Sequence, residues 1–533
     1  MIQPDSTGLY HPAGESDIIE LIQNAIQNKL QVRVRGAAES VISGVYADGF
    51  NPTTASPGNN INIELDQLRC VSIDKAKMQV TVGGGCNLGF DPFDPSHVSE
   101  ESNANNLFFQ LNESGLAIPN VPNAIHQTVA GFISTGSSGG TMQHSFDECI
   151  LSIRIIDGTG KATTFTKSDD LNDNFYGVVV SMGLLGIITE VILQCVPAFN
   201  IIGKQSTTLT ADCEYDFFGP GSSGKPSLPA YISATEFSRI LWWPFKTLNR
   251  AISWKAKEMT ASDYTPATGT PEDFKPNPYR PLFPPVFGST LPTETVAATG
   301  FQLIATWPDW FFDLLGNSQA EETPLEKELM TAVESVFPFF YPLLTDRFFP
   351  VNTPSSPAQV FWDNWLGSLP MDKVEYGNEL FNLTYAEMWV PASVATSVVN
   401  IMQADYEQKG YTATGFYTAE ILGAKQSNFW LSPAYGTDSV RINILYFAKS
   451  SDVPENYFSQ FWTLLNDNHI NFRPHWGKVL PLSTSATGPD YLQNNYPKWT
   501  DWKNLREQMD PHQIFVTDYW RSHLGIPAVD AVI

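Results

Sequence analysis

The chain has 533 residues, of which 42% are hydrophobic and 16% charged, with a formal net charge of −25. This composition suits a large folded protein of two to four domains and excludes a disordered chain. The strong negative charge repels phosphate backbones and argues against nucleic-acid binding.

Residues 15–30 place Ile18, Ile19, Leu21, Ile22, Ala25, Ile26 and Leu30 at helical spacing. Residues 31–36 alternate as a strand and end at a glycine turn. Residues 61–85 read as two or three strands, and 107–120 as a helix closed by Gly115 and followed by a short strand. A strand, the turn Asp157-Gly158-Thr159-Gly160 and a second strand form a hairpin. Residues 178–199 read as a short helix, a glycine-rich turn and a strong strand. The first third is therefore α+β with many short strands, and lacks the repeated βαβ order of a dinucleotide-binding Rossmann domain.

Composition shifts near residue 200. Residues 259–300 are rich in Pro, Thr and Ser and read as a long loop or linker. Residues 301–350 are aromatic-rich and partly helical, and the tail returns to strand-like segments. The five cysteines (Cys70, Cys86, Cys149, Cys195 and Cys213) have irregular spacing and no CxxC pair. They read as buried free thiols in a reducing compartment, not as a zinc site or disulfide framework. The N-terminus has no basic or apolar signal region, and no apolar run reaches about 18 residues. A cytoplasmic protein is the expectation.

Three glycine-containing segments carry the chemistry. The first is Arg33, Val34, Arg35, Gly36, Ala37, Ala38, Glu39 and Ser40, where a strand runs into a small-residue turn. Freed backbone N–H groups at such a turn can face an anion. A plain β-turn with a surface arginine would give the same letters. The second is the loop Gly131–Gly140, with Ser134, Thr135, Gly136, Ser137, Ser138, Gly139 and Gly140, where a flat or phosphorylated ligand could lie against main chain. The third runs from Ser181 through Gly186, Ile187 and Ile188 into a β-branched strand. A structural turn or a backbone contact to a cofactor explains it equally well.

In order and spacing these three segments resemble the vanillyl-alcohol oxidase superfamily, whose flavin domain is of the PCMH type, over roughly residues 10–200. The resemblance implies an α+β fold: a PCMH-type FAD-binding domain of two small α+β subdomains, plus a substrate domain built on an antiparallel sheet with helices. The implied domains are 1–200 for FAD, 201–496 for substrate with an insertion near 259–375, and a C-terminal segment 497–533 returning to the FAD domain. It assigns FAD contacts to Arg35–Ser40, to Ser134–Gly140 with Ser145, and to Gly186–Ile188. Members with covalent flavin usually carry His in the first loop. Here that position is Glu39, so a histidyl link at this loop is excluded and noncovalent FAD is implied. His144, after the second loop, reads as an ordinary polar residue.

The C-terminal half resembles the aldonolactone and alditol oxidase branch through Arg473-Pro474-His475-Trp476-Gly477-Lys478, Trp430-Leu431-Ser432-Pro433 and Asp510-Pro511-His512-Gln513-Ile514-Phe515. In alditol oxidases, the Glu and Arg of a Glu-Ile-Arg strand help bind substrate hydroxyls. Here that strand reads Glu420-Ile421-Leu422, and Asn443 stands near where a His is expected. Features such as Trp242-Trp243-Pro244-Phe245 and the aromatic insertion are shared with FAD-linked cholesterol oxidases. The implied activity is oxidation of a CH–OH group of an alcohol, polyol or aldonolactone, with oxygen or another acceptor taking the electrons. A sterol-like apolar alcohol is one alternative, and a flavin-fold binding protein without catalysis is another. Lys478 is the preferred electrostatic partner of the flavin, with His475 as candidate base and Glu420 as substrate anchor or proton acceptor. Arg441 would bind an anion or, as favoured, pair with an acid. Peripheral membrane contact by the aromatic insertion lacks the usual basic face.

Overall fold

A computed structural model describes residues 2–52, 58–91, 106–122, 124–244, 248–279, 349–369, 383–410, 417–447 and 454–528. Most of the aromatic stretch 301–350 and much of the 259–375 insertion lie outside these residues. The chain divides into two compact units. One comprises residues 1–199, 424–439 and 471–533, the other residues 200–423 and 440–470.

The first unit opens with β1 (Leu9–Tyr10), α1 (Glu15–Asn28), β2 (Val32–Arg35) and β3 (Ile61–Glu64). The three strands form a parallel sheet in the order β1-β3-β2. Its apolar face is covered by α1, whose Ile18, Leu21, Ile22 and Ala25 are buried against Val32, Ile61 and Ile63. Glu15 begins that helix, where a carboxylate suits the positive end of the helix dipole. It also takes both Arg154 donors at 2.7 and 2.8 Å. That pairing holds the Glu15 carboxyl below its ordinary pKa.

Then come β4 (Val71–Asp74), β5 (Gln79–Gly83), α2 (Val129–Ser134), β6 (Ile150–Asp157), β7 (Ala162–Thr166) and β8 (Gly186–Gln194). Five of these are strands of an antiparallel sheet ordered β4-β5-β8-β6-β7. These two sheets with their helices are the two small α+β subdomains of a PCMH-type domain.

The second unit contains β9 (Asn200–Leu209), α3 (Leu228–Ala234), β10 (Phe237–Trp243), β11 (Arg250–Glu258), β12 (Gln359–Asn364), β13 (Leu383–Pro391), α4 (Ala395–Lys409), β14 (Thr418–Ala424) and β15 (Ser439–Phe447). Seven strands run in the order β12-β9-β11-β10-β14-β15-β13. The pairs of β9 with β11 and β12, and of β10 with β11 and β14, are antiparallel. One sheet face buries Ile240, Trp242 and Ile421, with Trp242 against the Phe217 ring at 5.3 Å.

The C-terminal part contains α5 (Pro454–Asp467), α6 (Trp499–Met509) and α7 (Asp518–Leu524). The chain rejoins the first unit at residue 471, earlier than 497, and residues 424–439 also belong there. The reason is local: Trp476 Nε1 donates to Leu431 O at 2.7 Å. Val32 N donates to Ile514 O at 2.7 Å, which ties the chain's end to β2. Four of the five cysteines are buried as expected, but Cys70 is exposed. No described helix is long and apolar enough to cross a membrane.

Candidate functional site

Within the first unit, the glycine-containing segments converge on one cleft. Its lining includes Arg35, Gly36, Ala37, Ala38, Glu39 and Ser40 from the first segment. Ser134 and Thr135 line it from the second, and Gly186, Ile187 and Ile188 from the third.

The first segment is a tight fit. A Cβ on Gly36 would lie 2.2 Å from Thr128 Oγ1, so only glycine brings this backbone so close. Ala38 has a φ of 59°, a left-handed conformation that an alanine holds only under local constraint. Arg35 does not serve as a free cation for an anion. Its Nη2 donates to Glu64 Oε1 at 2.8 Å and its Nε to Gly36 O at 3.0 Å. The neighbouring Arg33, which the sequence places in the same motif but not among the cofactor contacts, is the cation here. It lines the cleft and is buried. Its Nη atoms donate only to carbonyls, namely Gly44 O at 2.5 Å, Met182 O at 2.9 Å and Phe515 O at 3.2 Å. Its Nε has no protein partner. Burial lowers its pKa to about 10, against the opposing pull of Asp48. The missed signal was the alternation of Arg33 and Arg35, which places both on one strand face.

Glu39 is matched by a second residue that the sequence reading passed over. His126 is buried, and its Nε2 lies 2.8 Å from Glu39 Oε1. The approach is close without being a well-aligned hydrogen bond, and His126 Nδ1 finds no protein partner. Burial pushes the Glu39 carboxyl up, but His126 and the charge of Lys478 outweigh it, so the net shift is downward. The carboxylate is therefore held ionised at the cleft, with Lys478 near enough to feel it. His144, after the second segment, accepts through its carbonyl from Asn120 Nδ2 at 2.9 Å.

The second segment divides in two. Residues up to Ser134 are not loop but α2, because Thr128 caps its N-terminus by accepting from Gly131 N at 3.2 Å. Ser134 O accepts from the N–H groups of Ser181 and Met182, which joins the second and third segments. Beyond Thr135 the segment turns away from the cleft. Gly136 packs against Pro433, and Gly139 N donates to Asn120 Oδ1 at 2.6 Å. Ser138 Oγ accepts from Asn120 Nδ2 at 3.4 Å. Ser145 caps the short helix Phe146–Cys149 in a capping box with Glu148. Gly136, Ser137, Ser138, Gly139, Gly140 and Ser145, expected at the cofactor, thus do not line the cleft. Their polar groups shape the loop instead.

Gly84 and Gly85 line the cleft in their place. A Cβ on Gly84 would lie 2.2 Å from Ile188 O. The Gly83-Gly84-Gly85 triplet was visible in the sequence but read as a strand end. Trp476 and Trp520 complete the wall. Trp520 Nε1 donates to Gly44 O at 3.0 Å, and its ring faces Arg33 at 5.9 Å.

His475 and Lys478 belong to this unit, whereas Glu420 lies in the second. His475 Nδ1 accepts from Gly477 N at 3.0 Å, and its Nε2 lies 2.9 Å from Ser137 Oγ. Both ring nitrogens are thus engaged within the protein, an arrangement that holds the imidazole in place. Lys478 is half-buried. In the second unit Glu420 is buried, with Arg239 Nε at 2.5 Å and Asn443 Nδ2 at 3.1 Å. Arg441 pairs with buried Glu387 at 2.6 Å, as favoured from the sequence.

The cleft fits FAD on its own features. A buried guanidinium without a carboxylate hydrogen-bond partner suits an anionic diphosphate. Gly36 and Gly84 let the segments that form the cleft pack closely on Thr128 and Ile188.

The family profile for D-arabinono-1,4-lactone oxidase matches residues 373–523. A putative D-arabinono-1,4-lactone oxidase from Neurospora crassa is 25% identical over 90% of this chain and 78% of that protein. The L-gulonolactone oxidase of Mus musculus is 23% identical over 96% of this chain and 93% of that protein. Among solved structures, cholesterol oxidase from Brevibacterium sterolicum superposes with a TM-score of 0.68 at 14% identity, covering 97% of this chain and 94% of that one. Fold and relatives point the same way: the chain shares its fold with a cholesterol oxidase and is similar to aldonolactone oxidases along nearly its whole length, which makes it an FAD-linked oxidoreductase.

Proposed function

We propose that the protein oxidises a CH–OH group of a hydroxyl-rich small molecule, an aldonolactone or polyol. Bound FAD supplies the hydride acceptor at flavin N5. Arg33 and the backbone at Gly36 and Gly84 hold that cofactor without a covalent tether. Lys478 supplies positive charge at the cleft and stabilises negative charge developing there. His475 fixes the segment that carries Lys478. Glu420 anchors a substrate hydroxyl as a hydrogen-bond acceptor. Oxygen or another acceptor removes the electrons.

The observation that carries the reading is the Arg33 cleft of the first unit, taken with lactone-acting relatives along nearly the whole chain. The buried charged groups around Glu420 favour a hydroxylated ligand over a sterol, because an apolar ligand would leave such groups without water or partners. Purified protein should be yellow, and anaerobic addition of an aldonolactone or polyol should bleach it. Bleaching by apolar alcohols alone would reverse the substrate assignment. No bleaching by any alcohol would favour binding without catalysis.

A further inference from the structure

The second unit's sheet carries an unusual face. Arg239 on β10 stands opposite Leu422 on β14, and Leu241 opposite Glu420. Opposed residues project to the same side, as do residues two apart on one strand. Thr418, Glu420 and Leu422 therefore share one face with Arg239. Asn443 joins them through its bond to Glu420, and Arg441 lies two residues away on the same strand. Arg441 Nε meets Glu387 Oε1 at 2.6 Å, with its guanidinium 4.9 Å from the Trp389 ring centre.

The four charged side chains are 15%, 5%, 7% and 1% exposed for Arg239, Glu420, Arg441 and Glu387. Two cations and two anions make the face polar but formally neutral. Buried ion pairs add little to stability over apolar residues of similar size, so holding the sheet together does not explain them. Two further buried atoms on this face, Asn443 Oδ1 and Thr418 Oγ1, have no protein partner. A neutral wall with unused hydrogen-bonding capacity suits an uncharged, hydroxyl-rich ligand.

We propose that Arg239 is a specificity-determining residue of this wall, supplying from β10 the guanidinium that Leu422 withholds on β14. The inference rests on the proposed lactone or polyol oxidation. It reverses one expectation from the sequence: Leu422 does not leave the site without an arginine, because register brings one across from the neighbouring strand. Arg239 holds Glu420 as an oriented acceptor, and the pair defines the hydroxyl pattern that is accepted.

The test uses the full-length FAD-loaded enzyme, steady-state turnover and anaerobic flavin reduction, with L-gulono-1,4-lactone and a matched polyol as probes. Arg239→Leu should raise KM at least about tenfold with a much smaller change in kcat, and leave flavin content unchanged. Arg239→Lys, which keeps the charge but loses the planar fork, should raise KM in the same direction. The double variant Arg239→Leu with Leu422→Arg should restore most of the loss in KM, while the split between KM and kcat separates a substrate-facing role from a merely structural one. If Arg239→Leu does not fold, Arg239→Lys and the double variant decide. An unchanged KM in Arg239→Lys, or no rescue in the double variant, overturns the proposal. A wild-type enzyme bleached by neither probe overturns the underlying functional reading instead, whatever the variants do.

Discussion

Ser137 Oγ lies 2.9 Å from His475 Nε2, joining the small-residue loop to the segment that carries Lys478. The other nitrogen, Nδ1, accepts from the Gly477 N–H, so neutral His475 carries its proton on Nε2 and donates it to Ser137. Ser137 in turn meets Thr135 Oγ1 at 2.9 Å, and Thr135 Oγ1 donates to Gly131 O at 3.2 Å. A chain of hydrogen bonds thus runs from α2 to His475. Within it the imidazole is an orienting group.

That assignment separates two outcomes for His475→Asn. Loss of a general base costs about 10²–10⁴-fold in rate. Loss of a positioning bond costs about 1 kcal/mol, near fivefold. The smaller effect is expected in single-turnover flavin reduction, with the pH profile keeping its shape. Ser137→Ala should reproduce most of it. Disappearance of an ionisation from the profile in His475→Asn alone would restore the base role.

Lys478 and Glu39 are coupled through their charges. Lys478→Met should slow anaerobic flavin reduction at least about tenfold, equivalent to 1.36 kcal/mol in the barrier. It should also raise the Glu39 carboxyl toward its ordinary range, because one of the two groups holding it down is removed. Glu39 has a lowered pKa in the folded chain, so its stabilising contribution is present above about pH 4.5, its unfolded value. It is lost as pH falls through the folded pKa. The wild type should therefore lose more stability on acidification below about pH 4.5 than Glu39→Gln does. Parallel pH–melting curves for the two proteins would remove Glu39 from the account.

The sequence was legible where a pattern is local. The periodicity of Ile18, Leu21, Ile22 and Ala25 predicts α1, and the Asp157–Gly160 turn predicts the hairpin of β6 and β7, both of which form. Which arginine serves the cleft was not legible. Arg33 and Arg35 differ only in what the fold sets beside them, and Glu64 comes from another strand, 29 residues away. The place of Ser138–Gly140 and Ser145, outside the lining of this cleft, was not legible for the same reason. Their groups looked available in one dimension, whereas in three Asn120 takes the Gly139 N–H and Glu148 the Ser145 N–H. Arg239 was invisible because its relevance depends on the strand order that sets β10 beside β14.

Asp510 gives a pH effect of opposite sign to Glu39. Its buried carboxyl accepts from Ile514 N and Phe515 N, each at 3.0 Å, and so shapes the turn that follows α6. Burial dominates those hydrogen bonds and raises its pKa from 3.8 to about 6. A raised carboxyl contributes stability that is full below about pH 4 and is lost as pH rises toward about 6. The shift corresponds to a few kcal/mol at about 1.4 kcal/mol per unit. Asp510→Asn should be less stable than wild type at acidic pH by about 1–3 kcal/mol, since one amide oxygen replaces two acceptors. Its stability should decline less between pH 4 and 6. Chemical denaturation at pH 4, 5, 6 and 7 measures both, and a steeper decline in the variant would contradict the assignment.

Cofactor retention tests the cleft most directly. Glu39 cannot form the histidyl link, so acid precipitation should leave yellow flavin in the supernatant, and a yellow pellet would show a covalent bond. Affinity should then depend on Arg33, whose Nε has no protein partner and whose Nη atoms meet only carbonyls. A charge-assisted hydrogen bond contributes about 1.5–3 kcal/mol, so Arg33→Met should weaken FAD binding by tenfold or more. Arg33→Lys keeps the charge and should lose less. Arg35→Met is the control, because Glu64 already neutralises Arg35. Titration of the apoprotein with FAD by fluorescence quenching ranks the three variants. Equal losses for Arg33→Met and Arg35→Met would return the anion-binding role to the first loop as a whole.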